Sequence, residues 1–414
     1  MLKRAMLGGV MLILLPVLTG AASALTLQEA LAQARENLPS YQAAKKKVES
    51  ADALYGAALG PYLPSLDASA SRERHDGDWG DYSSTGYDVT LSYRLFDGKR
   101  RASRDIAGFD LETEREELRK NLLELDYRVK VAFYTALAGR EVLDQRKVQL
   151  EDAWKDHEVA EGRRSLGAAR LSEVLQASVR LEQARFNVVQ AEGNLRKALS
   201  DLYSLIGRPD ETEGNPEGRL DAGDAVPELK PLSDAVLRRP EIRQAEIALK
   251  KSESSRSLAE GDFYPTVSAN LSYGRSDAGT FGNQALEDRS VGVTATWNLF
   301  ELGKFYRTKS ARIEVAVSEE NLRELKRQLL LDCRKGWEDL VTAVRNETVA
   351  AEQLRRAEQN YEQAFGEYKV GKGDILSLVQ AESLLANSRE QLTNARVNAV
   401  LARALLEKIA GREL

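Results

Sequence analysis

The chain has 414 residues, 30% of them charged, a formal charge of −5, ten prolines and few aromatic residues. Acids and bases are interspersed, which leaves no basic footprint for nucleic acid. Two histidines and one cysteine argue against a soft-metal site, and no nucleophile–base pair stands out for an enzyme. The composition favours long polar helices over one thick core.

Residues 1–24 read as an export signal: Lys3 and Arg4, an apolar run over 5–18, then the small-x-small site Ala22-Ser23-Ala24. The run is short and broken by Pro16, which argues against a membrane anchor. Beyond it, no apolar stretch approaches the roughly 20 residues of a membrane-spanning helix. The remaining chain is therefore soluble after export or crosses a membrane as strands.

A first unit spans 25–207. Residues 27–59 carry a helical pattern interrupted at Leu38-Pro39, because the residue before proline leaves the helical region. The period then becomes two. Leu66, Ala68 and Ala70 alternate with polar residues and, after a loop expected over 75–86 that contains His75, so do Val89, Leu91, Tyr93 and Leu95. This predicts a β-hairpin at about 64–96 with one apolar face. A proline-free helix of roughly 100 Å follows from about residue 100. It breaks at Ser165-Leu166-Gly167 and returns as a shorter helix to 206, forming a helical hairpin.

Residues 208–230 are polar, acidic and rich in glycine and proline, as a linker would be. The second unit, 231–414, follows the same plan. Its helix breaks at Arg239-Pro240, a β-hairpin is expected at about 264–300 with a loop over 276–289, and a helical hairpin fills about 304–410.

The duplication is clearest in the returning helices. Leu378, Leu385, Leu392, Ala399 and Leu406 recur every seventh residue, with Ala381, Ser388, Ala395, Ala402 and Ile409 between them. Val174, Leu181, Val188, Leu195 and Leu202 do the same 204 residues earlier, interleaved with Ala177, Ala184, Ala191, Ala198 and Leu205. Bulky and small rungs alternate along a heptad seam, the pattern of closely packed helices. Glycines bound both seams, at Gly167 and Gly207, then Gly371 and Gly411.

Four strands cannot stand alone in lipid, because their edge N–H and C=O groups would have no partner. Small barrels begin at about eight strands, so closure needs more than one chain, and three chains would supply about twelve. Tyr93, Phe96, Trp297 and Phe300 at the strand ends would form an interfacial aromatic girdle.

With these features in place, the chain from Leu27 to Gly411 resembles the TolC-like outer membrane efflux proteins. The most specific segments are Tyr368-Lys369-Val370-Gly371 through Leu378-Val379-Gln380-Ala381, and Leu166-Gly167 through Glu173-Val174-Leu175-Gln176-Ala177. The resemblance implies an α+β membrane protein: a homotrimeric transmembrane β-barrel, four strands per chain, continued by a long helical barrel in the periplasm. It implies a periplasmic adaptor protein and an inner-membrane transporter as partners, with the chain itself a passive exit duct in outer membrane lipid. No cofactor, metal or catalytic residue is implied.

Carried over by position, Glu173, Gln176, Tyr368, Asp374, Ser377 and Gln380 would line the periplasmic entrance. Leu166, Gly167, Arg170, Val370, Gly371, Lys372 and Gly373 would meet the adaptor. Ser377 and Gln380 stand where some members carry constricting aspartates, so an acidic ring is not expected there. Asp374 also suits a simple helix cap. Two other readings share parts of this pattern: the outer-membrane exit of a type I protein secretion system, and a soluble periplasmic coiled-coil scaffold.

Overall fold

The computed structural model describes residues 25–76, 82–209, 216–223, 225–278 and 285–413, so the signal expected over 1–24 lies outside the described residues. Helices α1 (Leu27–Asn37) and α2 (Pro39–Ala57) precede strands β1 (Ser65–His75) and β2 (Tyr82–Asp97). Helices α3 (Arg100–Ser165) and α4 (Leu171–Leu205) follow. The second half repeats this as α5 (Leu229–Val236), α6 (Pro240–Glu260), β3 (Thr266–Ala278), β4 (Ala285–Thr296), α7 (Leu302–Lys369) and α8 (Ile375–Ala410).

Local chemistry sets the boundaries. Thr26 and Glu29 close a reciprocal capping box on α1: Glu29 N donates to Thr26 Oγ1 at 3.3 Å and Thr26 N to Glu29 Oε2 at 3.0 Å. Pro39 and Pro240 start α2 and α6, where a missing N–H costs nothing and the preceding residue is extended. The chain is layered into three levels along α3 and α7, each about 100 Å long. Nearest the sheet the helices neighbour one another in the order α2, α3, α6, α7; farther away the order is α4, α3, α8, α7.

The seam behaves as its period requires. Ala177, Leu181, Ala184, Ala191 and Leu202 on α4 are buried, as are Leu378, Ala381, Leu385, Ser388, Leu392, Ala395, Ala399 and Leu406 on α8. Cys333 is buried against Leu232, Val236 and Leu340, so its thiol is a packing group that burial holds in the neutral form.

The two hairpins join into one antiparallel sheet in the order β1-β2-β3-β4. Register puts Leu66, Leu91, Leu271 and Val291 in one row and Ala68, Val89 and Tyr273 in the next, so the apolar positions of all four strands share a face. The opposite face carries Ser65, Ser92, Asn270 and Gly292, then Asp67, Thr90, Ser272 and Ser290.

The structure corrects three expectations. The loops expected over 75–86 and 276–289 are shorter, because β1 runs to His75, β2 starts at Tyr82, β3 runs to Ala278 and β4 starts at Ala285. Apolar alternation stops where lipid contact would stop, but the hydrogen-bond ladder continues beyond it. Leu95 does not continue the alternation of β2 either. It sits in a bulge between Arg94 and Phe96, and Phe96 pairs with Val267 and so takes the apolar face.

The third correction concerns 208–230, whose described part is a strap rather than a free linker. Leu220 and Ala222 are buried against α1, α3, α4 and α8. Glu217 N donates to Leu25 O at 3.0 Å, Arg140 reaches Pro216 O at 3.3 Å, and Trp337 Nε1 donates to Pro227 O at 2.7 Å. Its polar side chains face water while its backbone carbonyls bind the helices.

Candidate functional site

The residues singled out in the sequence collect at the ends of the two helical hairpins, far from the sheet. Both hairpins turn the same way. At the first, Gly167 N donates to Arg164 O at 2.9 Å and Ala168 N to Arg163 O at 2.8 Å, with Gly167 at φ +75°. At the second, Gly371 N donates to Tyr368 O at 3.1 Å and Lys372 N to Glu367 O at 2.9 Å, with Gly371 also at φ +75°. This is the helix end that glycine permits, because a side chain in that left-handed region is strained.

Leu166 and Val370, at matching positions, are 84% and 69% exposed. Arg170, Lys372 and the turn glycines are exposed around them, and Gly373 is half-buried. Just above the tips the helices restart. Glu173 is half-buried and accepts from the Arg170 N–H at 3.2 Å, and Asp374 is exposed and accepts from the Ser377 N–H at 2.7 Å. Backbone donors at Ser377 hold the Asp374 carboxyl below the usual carboxylate range. Gln176, Ser377 and Gln380 are exposed within the first turns of α4 and α8.

Tyr368 is brought into contact with a residue that sequence reasoning passed over, Arg163. The Arg163 guanidinium lies 4.3 Å from the centre of the Tyr368 ring and donates to Tyr368 O at 2.8 Å. It also reaches Ala168 O at 3.4 Å, so one side chain ties the end of α3 to the end of α7. The available signal was a basic residue in the last turn of a helix, where it meets free carbonyls. Tyr368 is buried with its hydroxyl unpartnered among the described residues, and burial pushes its phenol upward against the pull of Arg163.

About ten residues above the first tip, roughly 15 Å along the helix, lies a charged layer that was also missed. Asp156 on α3 is buried, with neither carboxylate oxygen hydrogen-bonded among the described residues. Arg180 on α4 sits 4.0 Å from it and pairs with Glu382 on α8 at 2.7 Å. Burial first, then repulsion from Glu382, raises the Asp156 carboxyl to about 7, against the attraction of Arg180. Tyr361 on α7 is pushed up by burial and by Asp156, Asp152 and Glu382. Arg389 faces Asp152 at 3.6 Å, and a cavity of about 360 Å³ opens beside the layer. Four helices thus converge on one buried carboxylate. Its place between buried Ala153 and Ala160 was the sequence signal, since a charge on a seam is out of pattern.

Comparison with known proteins places this architecture. A family model described as outer membrane efflux protein matches residues 30–208 and, separately, 232–412. The chain belongs to that family. The two matches coincide with the two repeats. Protein CyaE of Bordetella pertussis is 28% identical over 94% of this chain and 84% of its own. Outer membrane protein TolC of Escherichia coli is 22% identical over 96% and 86% of the two chains. The pyoverdine export outer membrane protein OpmQ of Pseudomonas aeruginosa is 25% identical over 93% and 85%.

Solved structures share the fold: CusC superposes with a TM-score of 0.81 at 18% identity, covering 93% of this chain and 92% of that one. The outer membrane protein VceC of Vibrio cholerae gives 0.80 at 18%, covering 94% and 96%. The chain is thus an outer-membrane efflux protein that extends into the periplasm, and its fold is that of channel proteins rather than enzymes. No helix among the described residues is long and apolar enough to cross a membrane.

Proposed function

We propose that three copies of this chain close into a passive duct, a twelve-stranded barrel in the outer membrane continued by a twelve-helix tunnel through the periplasm. In this reading an inner-membrane transporter loads the duct, and a periplasmic adaptor docks on the helical tips. One observation carries the proposal: all three levels of the chain are open at both sides. The sheet ends at β1 and β4, the near helical layer at α2 and α7, and the far layer at α4 and α7. Unpaired strand edges are untenable in lipid, and identical neighbours joined edge to edge satisfy all three levels at once.

The open side of α4 supports this, with Leu175, Val179, Phe186 and Val189 exposed at heptad-like spacing. On the face of the sheet that would line the lumen, serine, threonine, asparagine and glycine predominate, and Ser272 and Ser290 hydrogen-bond at 2.6 Å across strands. Such a lining selects weakly, which leaves cargo choice to the partners. At the tips, exposed Leu166 and Val370 with Arg170 and Lys372 beside them offer apolar anchors rimmed by cations, the composition of a protein-docking surface. In this reading Glu173, Gln176, Tyr368, Asp374, Ser377 and Gln380 narrow the entrance above them.

The test is the mass and conductance of the detergent-purified protein. A complex of three chains that opens pores in planar bilayers is expected, and a water-soluble monomer without pores would sink the proposal. Within working pores, Glu173→Ala combined with Gln380→Ala should raise single-channel conductance, and an unchanged value would remove these two residues from the entrance. Cysteines at Arg170 and Lys372 should cross-link an adaptor, and failure at both sites would remove the docking role.

A further inference from the structure

The apolar face of the sheet does not run to the ends of the strands. On β1 it stops after Ala70 and the next outward positions are Arg72 and Arg74; on β3 it stops at Tyr273, followed by Arg275; on β4 Arg289 precedes Val291. All four arginines are exposed and occupy the lipid-facing parity of their strands, at the end of the sheet remote from the helices.

Their arrangement is a line. Arg72 shares its row with Thr85 and Asp277, Arg275 with Ala70, Tyr87 and Glu287, and Arg289 with Tyr273, Val89 and Ala68. Moving from β1 to β4, the arginine therefore drops by four residues, about 14 Å at ~3.4 Å each, across three strand spacings of about 4.8 Å. That slope is close to 45°, and transmembrane barrel strands tilt by ~35–45°. Strands tilted in the matching sense would bring Arg72, Arg275 and Arg289 to one depth, at the upper edge of the apolar band.

The charges there are not used up within the chain. Arg74 pairs with Asp76 at 3.2 Å, and Arg289 with Glu287 at 3.5 Å while lying 5.5 Å over the Tyr273 ring. No ion pair engages Arg72 or Arg275 among the described residues. With Arg74 paired to Asp76, the outward-facing charges left at this level among the described residues are Arg72, Arg275 and Arg289 against Asp277 and Glu287, an excess of one cation. Guanidinium groups suit phosphate because their forked donors match its oxygens, and their aliphatic stems can lie on apolar surface.

We infer that Arg72, Arg275 and Arg289 form a girdle that binds phosphate groups on the lipid of the outward-facing leaflet and sets the depth of the barrel. The occupant is a phosphorylated lipid headgroup, because the cations sit on the lipid-facing side directly above the apolar band. A soluble anion would have no reason to require that position.

The full-length protein, delipidated in non-ionic detergent, is incubated with a bisphosphorylated glycolipid or its dephosphorylated counterpart, and retention is read by native mass spectrometry. We expect the phosphorylated lipid to be retained about tenfold more tightly, and R72Q/R275Q/R289Q to lose about that factor. Lysine at the same three positions should restore part of it. D277N/E287Q, which removes no cation, should increase retention and serves as the test if the triple variant fails to assemble. Equal retention of the two lipids, a triple variant indistinguishable from wild type, or no gain in D277N/E287Q would each overturn the inference. Displacement of the bound lipid by inorganic phosphate at the same concentration as by the free phosphorylated lipid would reduce the girdle to a site for free anions and would also overturn it.

Discussion

Residues 163–174 and 367–378 trace the same turn 204 residues apart, with matched hydrogen bonds and the same glycine conformation, yet their side chains divide the work differently. Where the first tip has Arg163, reaching across to Tyr368, the second has Glu367, which accepts from Gln363 of its own helix at 3.0 Å. Where the second restarts its helix with an N-cap aspartate, Asp374, the first has Arg170 and relies on Glu173 three residues later. Each uses one half of a capping box. Higher up, Asp156 is buried in the first hairpin, while its counterpart Asn360 is exposed. Backbone geometry has survived duplication and electrostatics has not, so the first hairpin holds the groups that can report or control the packing of the helices.

The largest effect should come from breaking that asymmetry at Asp156. Its folded-state value of about 7 lies above the ordinary 3.8, so ionisation opposes folding. Below about pH 4 the group is protonated in both states and there is no penalty; the penalty grows as pH rises from about 4 to 7 and is constant above. Asp156→Asn should therefore stabilise the protein at pH 8, by up to about 4 kcal/mol, and lose that advantage towards pH 4. Denaturant unfolding at the two pH values measures it, and a pH-independent difference would contradict the burial argument.

Next come the glycines that end α4 and α8, which look equivalent in sequence and are not. Both have positive φ, but a Cβ at Gly207 would come to 2.5 Å from Asn37 Cβ, whereas one at Gly411 would find its nearest neighbour at 3.7 Å. Gly207→Ala should cost about 3 kcal/mol, combining backbone strain with overpacking, and Gly411→Ala about 1 kcal/mol. Equal losses of thermal stability would show that α1 yields to the added methyl group.

Arg163→Ala removes two carbonyl contacts and a stacked cation, which should loosen the tips by about 2 kcal/mol. Hydrogen exchange at residues 366–372 should accelerate, and Arg163→Glu, which copies the second tip, should do at least as much. The smallest effect is expected at Asp374, a fully exposed cap. Its carboxyl is held low in the folded chain, so its contribution is present above the ordinary carboxylate value and is lost as pH falls through the folded one. Asp374→Ala should speed amide exchange in the first turn of α8 at pH 7, and the difference should shrink as pH falls below the ordinary carboxylate range.

Much of this architecture was legible in the chain because it rests on periods. Heptads with alternating bulky and small rungs fix which face of α4 and α8 is buried, and alternation by two fixes the apolar face of the sheet. Features that rest on a single exception were not legible. The bulge at Leu95 leaves apolar residues on both sides of the slip, so nothing in the pattern marks it. The strap over 216–223 binds through backbone carbonyls, which every residue possesses. Asp156 and Arg180 are ordinary helix residues until three other helices close over them. Of the contact between the hairpin ends, the sequence singled out Tyr368 but not Arg163, because the two lie 205 positions apart.

A ring of three such chains would present six tips at its lower rim, spaced as if sixfold but alternating in character. Going round, three would carry a cation behind the turn and three an anion at the same depth. A partner built with sixfold symmetry would then meet two kinds of seat and would have to settle unequally on them, so that successive copies of one partner protein would be held with different strengths.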